Sequence, residues 1–272
     1  TWHSYPKDQF WANPDYPDVD FADYHRYIGE ADPLFVDTGL ATSQASMQYG
    51  ANQAGGAGKP VIRGETGFVV SGSEPPTDQF QNDSDGVWLH NFIWGGINPG
   101  GLIESYWYET QHIYSQHPDG TYNFDHRDQY AAYYNFISDI LLVNGHYQDA
   151  LAVVSTPELR AWGQKDVTHG CAHLWLQNRN HTWKNVVDGL PIPAISGSVQ
   201  IAGFQPGASY LLEWWDSYQA DSSQQIIGSD VALAQADGSL SIPVDNLATD
   251  VALKIIDGDG CTPAAQVVSP GR

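Results

Sequence analysis

The stretch Lys59-Pro60-Val61-Ile62-Arg63-Gly64-Glu65-Thr66-Gly67 decides how the first half of this chain is read. Val61 and Ile62 form a short β-branched run behind a proline, which is the pattern of a buried strand bounded by a turn signal. The expected strand covers 60–65 and ends on Glu65. A carboxylate between two glycines at a strand end is either a solvated turn residue or an acid aimed into a site. Gly64 and Gly67 let the backbone turn sharply there and let another molecule approach it closely.

Working outward, short apolar strands alternate with helical patterns up to about residue 148. Residues 19–27, ending Asp23-Tyr24-His25-Arg26-Tyr27, read as a strand. Thr38 to Gln53 reads as a helix stopped by Ala54-Gly55-Gly56-Ala57-Gly58. A helix is expected over 86–97, capped by Asp85, with Val87, His90, Asn91 and Trp94 at helical spacing. Residues 102–109 read as a strand. Residues 130–143 read as a helix with Tyr130, Tyr134, Ile137 and Leu141 on one face. Strands alternating with helices predict parallel β/α units.

After residue 148 the pattern changes. Residues 152–154, 172–176, 198–201, 210–215, 225–227 and 251–256 read as strands, separated by turn signals such as Asp188-Gly189 and Asp237-Gly238. That pattern predicts an antiparallel β-sandwich over 149–261. A flexible tail is expected over 262–272. The β/α region, 1–148, holds only about four strands, whereas a closed (β/α)8 barrel takes about 250 residues. It is therefore either a small open sheet or part of a barrel.

Composition narrows the function. The chain has 272 residues and a formal net charge of −21, from 11 Lys+Arg against 32 Asp+Glu. Binding a phosphate backbone needs clustered cations, so nucleic acid is excluded as a partner, and an anionic membrane surface with it. No apolar run is long enough for a membrane-spanning helix. Ten Trp and fifteen Tyr supply flat apolar faces with polar handles, which suit sugar rings as well as ordinary packing. Cys171 and Cys261 read equally as a bridge or as two buried thiols. Asn82-Asp83-Ser84 and Asn180-His181-Thr182 match the glycosylation triplet. The start, Thr1-Trp2-His3, lacks Met and raises the expectation of a cleaved or longer product.

The opening stretch resembles the seventh-strand motif of clan A retaining glycoside hydrolases, the (β/α)8 enzymes that include family 5 cellulases and mannanases. Other segments are similar to that family in the same order. Asp23-Tyr24-His25-Arg26-Tyr27 resembles the sixth strand, and Leu89 to Gly96 the helix after the nucleophile strand. Ser105-Tyr106-Trp107-Tyr108-Glu109 resembles the aromatic eighth strand, and Thr1-Trp2-His3-Ser4 the end of the fifth. The resemblance covers 1–148, and the sandwich looks like the small β-domain that often follows such barrels.

The resemblance implies the C-terminal half of a (β/α)8 barrel followed by a β-sandwich, in a secreted enzyme that degrades β-linked carbohydrate without a cofactor or metal. It makes Glu65 the nucleophile, with Arg63, His25, Tyr27, Tyr106, Trp107 and Glu109 around the substrate. The family's acid/base glutamate follows an asparagine on the fourth strand. This chain has no Asn-Glu pair, and none of its seven glutamates precedes the sixth-strand segment. The resemblance therefore places the acid/base on an N-terminal half-barrel, as a partner polypeptide or segment.

Each assignment has a plainer counterpart. Glu65 also reads as a turn carboxylate, His25 and Tyr27 as strand-end packing, and Trp107 as a core aromatic. Glu104 and Glu109 read as solvated acids or as late acids of an unusual site. His90 reads as a structural histidine inside a helix. His112, His117, Asp119, Asp125 and His126 share one loop without zinc spacing. Trp175, Trp183, Trp214 and Trp215 read as sandwich core or as a sugar platform. The non-catalytic alternative is an exported structural or carbohydrate-binding protein.

Overall fold

The computed structural model describes residues 17–18, 22–29, 32–49, 61–69, 82–98, 105–106, 113–120 and 122–261. Strand β1 (Ala22–Gly29), helix α1 (Thr38–Tyr49), strand β2 (Val61–Val69), helix α2 (Val87–Trp94) and strand β3 (Ser105–Tyr106) follow in turn. The three strands form one parallel sheet in the order β1-β2-β3. Parallel neighbours need long crossovers, and the helices between them occupy those crossovers. The opening stretch is more of a strand than expected: β2 runs through Glu65 and Gly67 to Val69. Thr1 to Ser4, the expected fifth-strand segment, lies outside the described residues.

Helices α1 and α2 cross closely. A Cβ on Gly95, just after α2, would stand 2.5 Å from the backbone oxygen of Gly39 in α1, so only glycine fits. Helix α2 begins at Gly86, whose φ of 64° suits glycine. Gly86 is the N-cap residue, and Asp83, not the expected Asp85, accepts from the first-turn N–H groups. Asp83 Oδ1 accepts from the Val87 N–H at 3.0 Å and Oδ2 from the Trp88 N–H at 2.8 Å.

A two-stranded hairpin, β4 (Tyr114–Gln116) and β5 (Tyr122–Asp125), leads to helix α3 (Asp128–Ile137). The expected face of α3 is corrected: Tyr134 is 63% exposed, and Ala132, Tyr133 and Phe136 are the buried residues.

Two antiparallel sheets follow. One has six strands in the order β12-β11-β14-β9-β8-β6, and the other three in the order β13-β10-β7. The strands are β6 (Gln148–Asp149), β7 (Val153–Val154), β8 (Leu159–Asp166), β9 (Cys171–Asn178), β10 (Ile195–Ala202), β11 (Ser209–Trp215), β12 (Ile226–Leu233), β13 (Ser239–Leu247) and β14 (Asp250–Ile256). A short helix, α4 (Trp183–Val187), interrupts them. Cys171 and Cys261 are bridged, their Cα atoms 5.6 Å apart.

The centre of the six-stranded sheet is covered on both faces, which explains why β9 is buried at every residue, while the edge strand β12 is largely exposed. Leu174, Leu176, Val251, Leu253 and Ile255 join the core shared with the three-stranded sheet. Trp175, Ala252 and Trp215 join a second core with Leu89, Trp94 and Phe136 of the helices. Strand alternation sorts residues between the two cores. Lys254 falls on the helix side, where its Nζ lies 3.8 Å from the Trp215 ring centroid and donates to Asp139 at 2.6 Å.

Candidate active site

The parallel sheet carries the expected site residues, and its register sets their order. Tyr24 pairs with Arg63, but His25 pairs with Glu65, so Gly64 is an extra residue in β2. This is a β-bulge, the device that bends a strand and re-aims the residue beside it. Glycine at this position reduces the cost of the distortion. Glu65 comes directly after the bulge, with His25 on one side and Ser105 on the other. These three residues form one row across the three strands. One step further, Thr66 pairs with Tyr106, and Gly67 pairs with Tyr27.

Of the expected site residues, the sheet thus brings together the backbones of His25, Tyr27, Arg63, Glu65 and Tyr106. Trp107, Glu109 and Glu104 lie outside the described residues. In the loop before α3, His117 is exposed, His126 is buried, and Asp125 makes a two-pronged ion pair with Arg127, the shorter contact 2.5 Å. Among the described residues no three acidic, His or Cys side chains converge to hold a metal ion. No helix of the described residues is long and apolar enough to cross a membrane.

His90 is a fully buried structural histidine. Its Nδ1 meets Gln129 Oε1 at 2.9 Å and its Nε2 meets Asp250 Oδ1 at 2.8 Å. Its ring stacks on Tyr218 with centroids 3.6 Å apart. Asp250 is the hub of this network. Oδ1 also accepts from Trp175 Nε1 at 2.8 Å and from the Ser217 hydroxyl. Burial alone would raise the Asp250 carboxyl, but His90 and the two other donors, Ser217 and Trp175, outweigh it and hold the group below the usual carboxylate range. Sequence reasoning missed Asp250, because its partner lies 160 positions away and nothing local marks it.

Asp83 behaves oppositely. Burial pushes its carboxyl from 3.8 up to about 6, against the two backbone N–H groups it caps. Between those values the folded state keeps a proton that the unfolded state has lost, so the Asp83 contribution to stability falls as pH rises from about 4 to about 6. The expected loss is up to about 3 kcal/mol. Asp250 acts below that window, since its lowered carboxyl loses stability only as pH falls beneath the ordinary value. Urea midpoints of the native protein and of Asp83→Asn at pH 4, 5 and 6 check this: the native protein loses stability relative to the variant across the series, on top of the opposite trend from His126, His173 and His181, whose rings burial holds below their usual value.

The tryptophans divide. Trp175 and Trp183 are fully buried and Trp215 is 7% exposed, so these three are core and form no platform. Trp214 is half-buried on β11, next to the edge strand β12.

No protein-family model matches this sequence, and no curated protein matches it. Among solved structures, the chain is similar to an arabinofuranosidase at 12% identity and TM-score 0.39, covering 87% of this chain and 53% of that one. It is similar to the GH39 enzyme from Xanthomonas axonopodis pv. citri at 13% identity and TM-score 0.39, covering 88% and 55%. A monomeric beta-xylosidase from Caulobacter crescentus CB15 gives 13% identity and TM-score 0.37, covering 91% and 58%. The chain spans little more than half the length of these structures. The glycoside hydrolase family named among the three is GH39, where the sequence resemblance pointed to family 5. A likeness at this level assigns neither fold nor function.

Proposed function

We propose that this chain carries the nucleophile of a retaining glycoside hydrolase acting on β-linked oligo- or polysaccharide. The observation that carries the reading is the Gly64 bulge in a parallel sheet, which sets Glu65 in one row with His25 and Ser105. Bulges recur beside active sites, where they re-aim a side chain within a strand.

In the proposed reaction the Glu65 carboxylate attacks the anomeric carbon and forms a glycosyl ester as the leaving oxygen departs. Water then attacks that carbon and releases Glu65 as carboxylate. A second carboxyl group, about 5–5.5 Å away, protonates the leaving oxygen and later deprotonates the water. That acid/base belongs to the N-terminal half-barrel proposed from the sequence resemblance, and the three-stranded sheet is part of the C-terminal half. Arg63, His25, Tyr27, Tyr106, Trp107 and Glu109 surround the sugar in this reading. Secretion fits the Cys171–Cys261 bridge, since disulfides persist in oxidising compartments.

The mechanism fixes stereochemistry. Proton NMR of an aryl β-glycoside during early hydrolysis by the native protein should show the β-anomer of the sugar first. First appearance of the α-anomer would mean inversion and would remove Glu65 from the nucleophile role.

A further inference from the structure

The sandwich has a groove of about 560 Å³ far along the chain from Glu65. It opens between β12, the edge of the six-stranded sheet, and β13, the edge of the three-stranded sheet. Trp214 of β11 lines it opposite Gly228 of β12. A Cβ on Gly228 would meet only Trp214 Cδ1, at 3.9 Å, so the glycine leaves the side of the indole uncovered. Asp230 accepts from Trp214 Nε1 at 2.9 Å and fixes the ring. Asp216, Asp245 and Asn246 add polar groups to the lining, with Ile227 and Pro243 as apolar wall. Asp250 lies beneath this lining, its side chain fully buried and out of reach of a ligand.

We propose that this groove binds a neutral sugar unit, with Trp214 as the stacking face and Asp216, Asp230, Asp245 and Asn246 as hydroxyl partners. Sugar hydroxyls donate readily to carboxylates, while their C–H faces pack on an indole. The four aspartates, Asp216, Asp230, Asp245 and Asp250, repel anionic ligands such as uronates and phosphates. A divalent cation fits less well, because no three metal-ligating side chains converge among the described residues. The inference is independent of the role proposed for Glu65.

The test uses the full chain with indole nitrogens labelled, and the Trp214 signal assigned by its loss in Trp214→Phe. The probes are short xylo-, arabino- and cello-oligosaccharides, an oligogalacturonate and calcium chloride. The expected result is a saturable shift of the Trp214 signal with at least one neutral oligosaccharide, with a dissociation constant in the millimolar range. Trp214→Ala should weaken calorimetric binding about tenfold, as loss of one stacked ring does. Gly228→Val, which covers the indole at an open edge, should weaken it likewise if the alanine variant does not fold. Glu65→Gln should leave it unchanged while changing turnover. A shift with only the oligogalacturonate or calcium overturns the proposal, as does no shift with any neutral oligosaccharide. Undiminished binding in Trp214→Ala or Gly228→Val overturns it equally.

Discussion

Glu65→Gln is expected to lower turnover of an aryl β-glycoside by the native protein about a thousandfold or more, with little change in the melting temperature. The size follows from the role. A carboxylate that makes the covalent bond has no substitute within the same active site, and an amide oxygen cannot form the glycosyl ester. The small effect on melting follows because glutamine keeps the size and shape of glutamate. Steady-state rates and thermal melts on the two proteins separate the roles. Equal turnover would return Glu65 to the turn carboxylate that its glycine neighbours also allow.

The second large effect concerns stability. Asp250→Ala is expected to cost about 3–5 kcal/mol, because it leaves three buried donors without their shared acceptor at about 1–3 kcal/mol each. The loss strands His90 Nε2, Trp175 Nε1 and the Ser217 hydroxyl inside the core. Each buried donor without an acceptor carries its own desolvation cost. The network also joins distant parts of the chain. His90 sits on α2, Gln129 on α3, and Asp250 on β14 of the sandwich. Urea unfolding of Asp250→Ala, His90→Ala and the double variant measures the coupling. Strictly additive losses would show that the two residues do not act as a pair.

The fold was legible where apolar residues repeat with a clear period. Val61 and Ile62 announce β2, and Leu211 to Trp215 announce β11, because strand alternation and β-branched or aromatic content coincide there. The end of β2 was not legible. Gly64-Glu65-Thr66-Gly67 has turn composition, but the glycine absorbs a bulge and the ladder continues to Val69. Strand β8 was missed because Gln164, Lys165 and Asp166 look like loop residues. In the fold Gln164 Nε2 donates to Ile97 O, Lys165 Nζ donates to Ala202 O, and Asp166 accepts from Asn144. Strand β13 was missed because Pro243 interrupts an otherwise alternating Leu240, Ile242, Val244. A proline is tolerated there since β13 lies at a sheet edge.

The face of α3 was misread for a different reason. Tyr130, Tyr134, Ile137 and Leu141 repeat at helical spacing, yet the sheet below offers Trp215 and Lys254, and these meet Phe136. A helix with aromatics around its circumference leaves the choice of face to its partner. Of the candidate site, Glu65 and its neighbours were legible from residue type and order, and the sheet adds their register. Trp214 was legible as one of four candidate platform tryptophans, but the groove beside it was not, because it forms between edge strands of two different sheets.

The most direct measurement is trapping with 2,4-dinitrophenyl 2-deoxy-2-fluoro-β-glycosides, followed by peptide mapping of the native protein. The dinitrophenolate leaves without an acid, so the label reports on the nucleophile alone. The account predicts one added fluoroglycosyl group on the peptide containing Glu65, and none in Glu65→Gln. A label carried by any other carboxylate while Glu65 stays unmodified would contradict it.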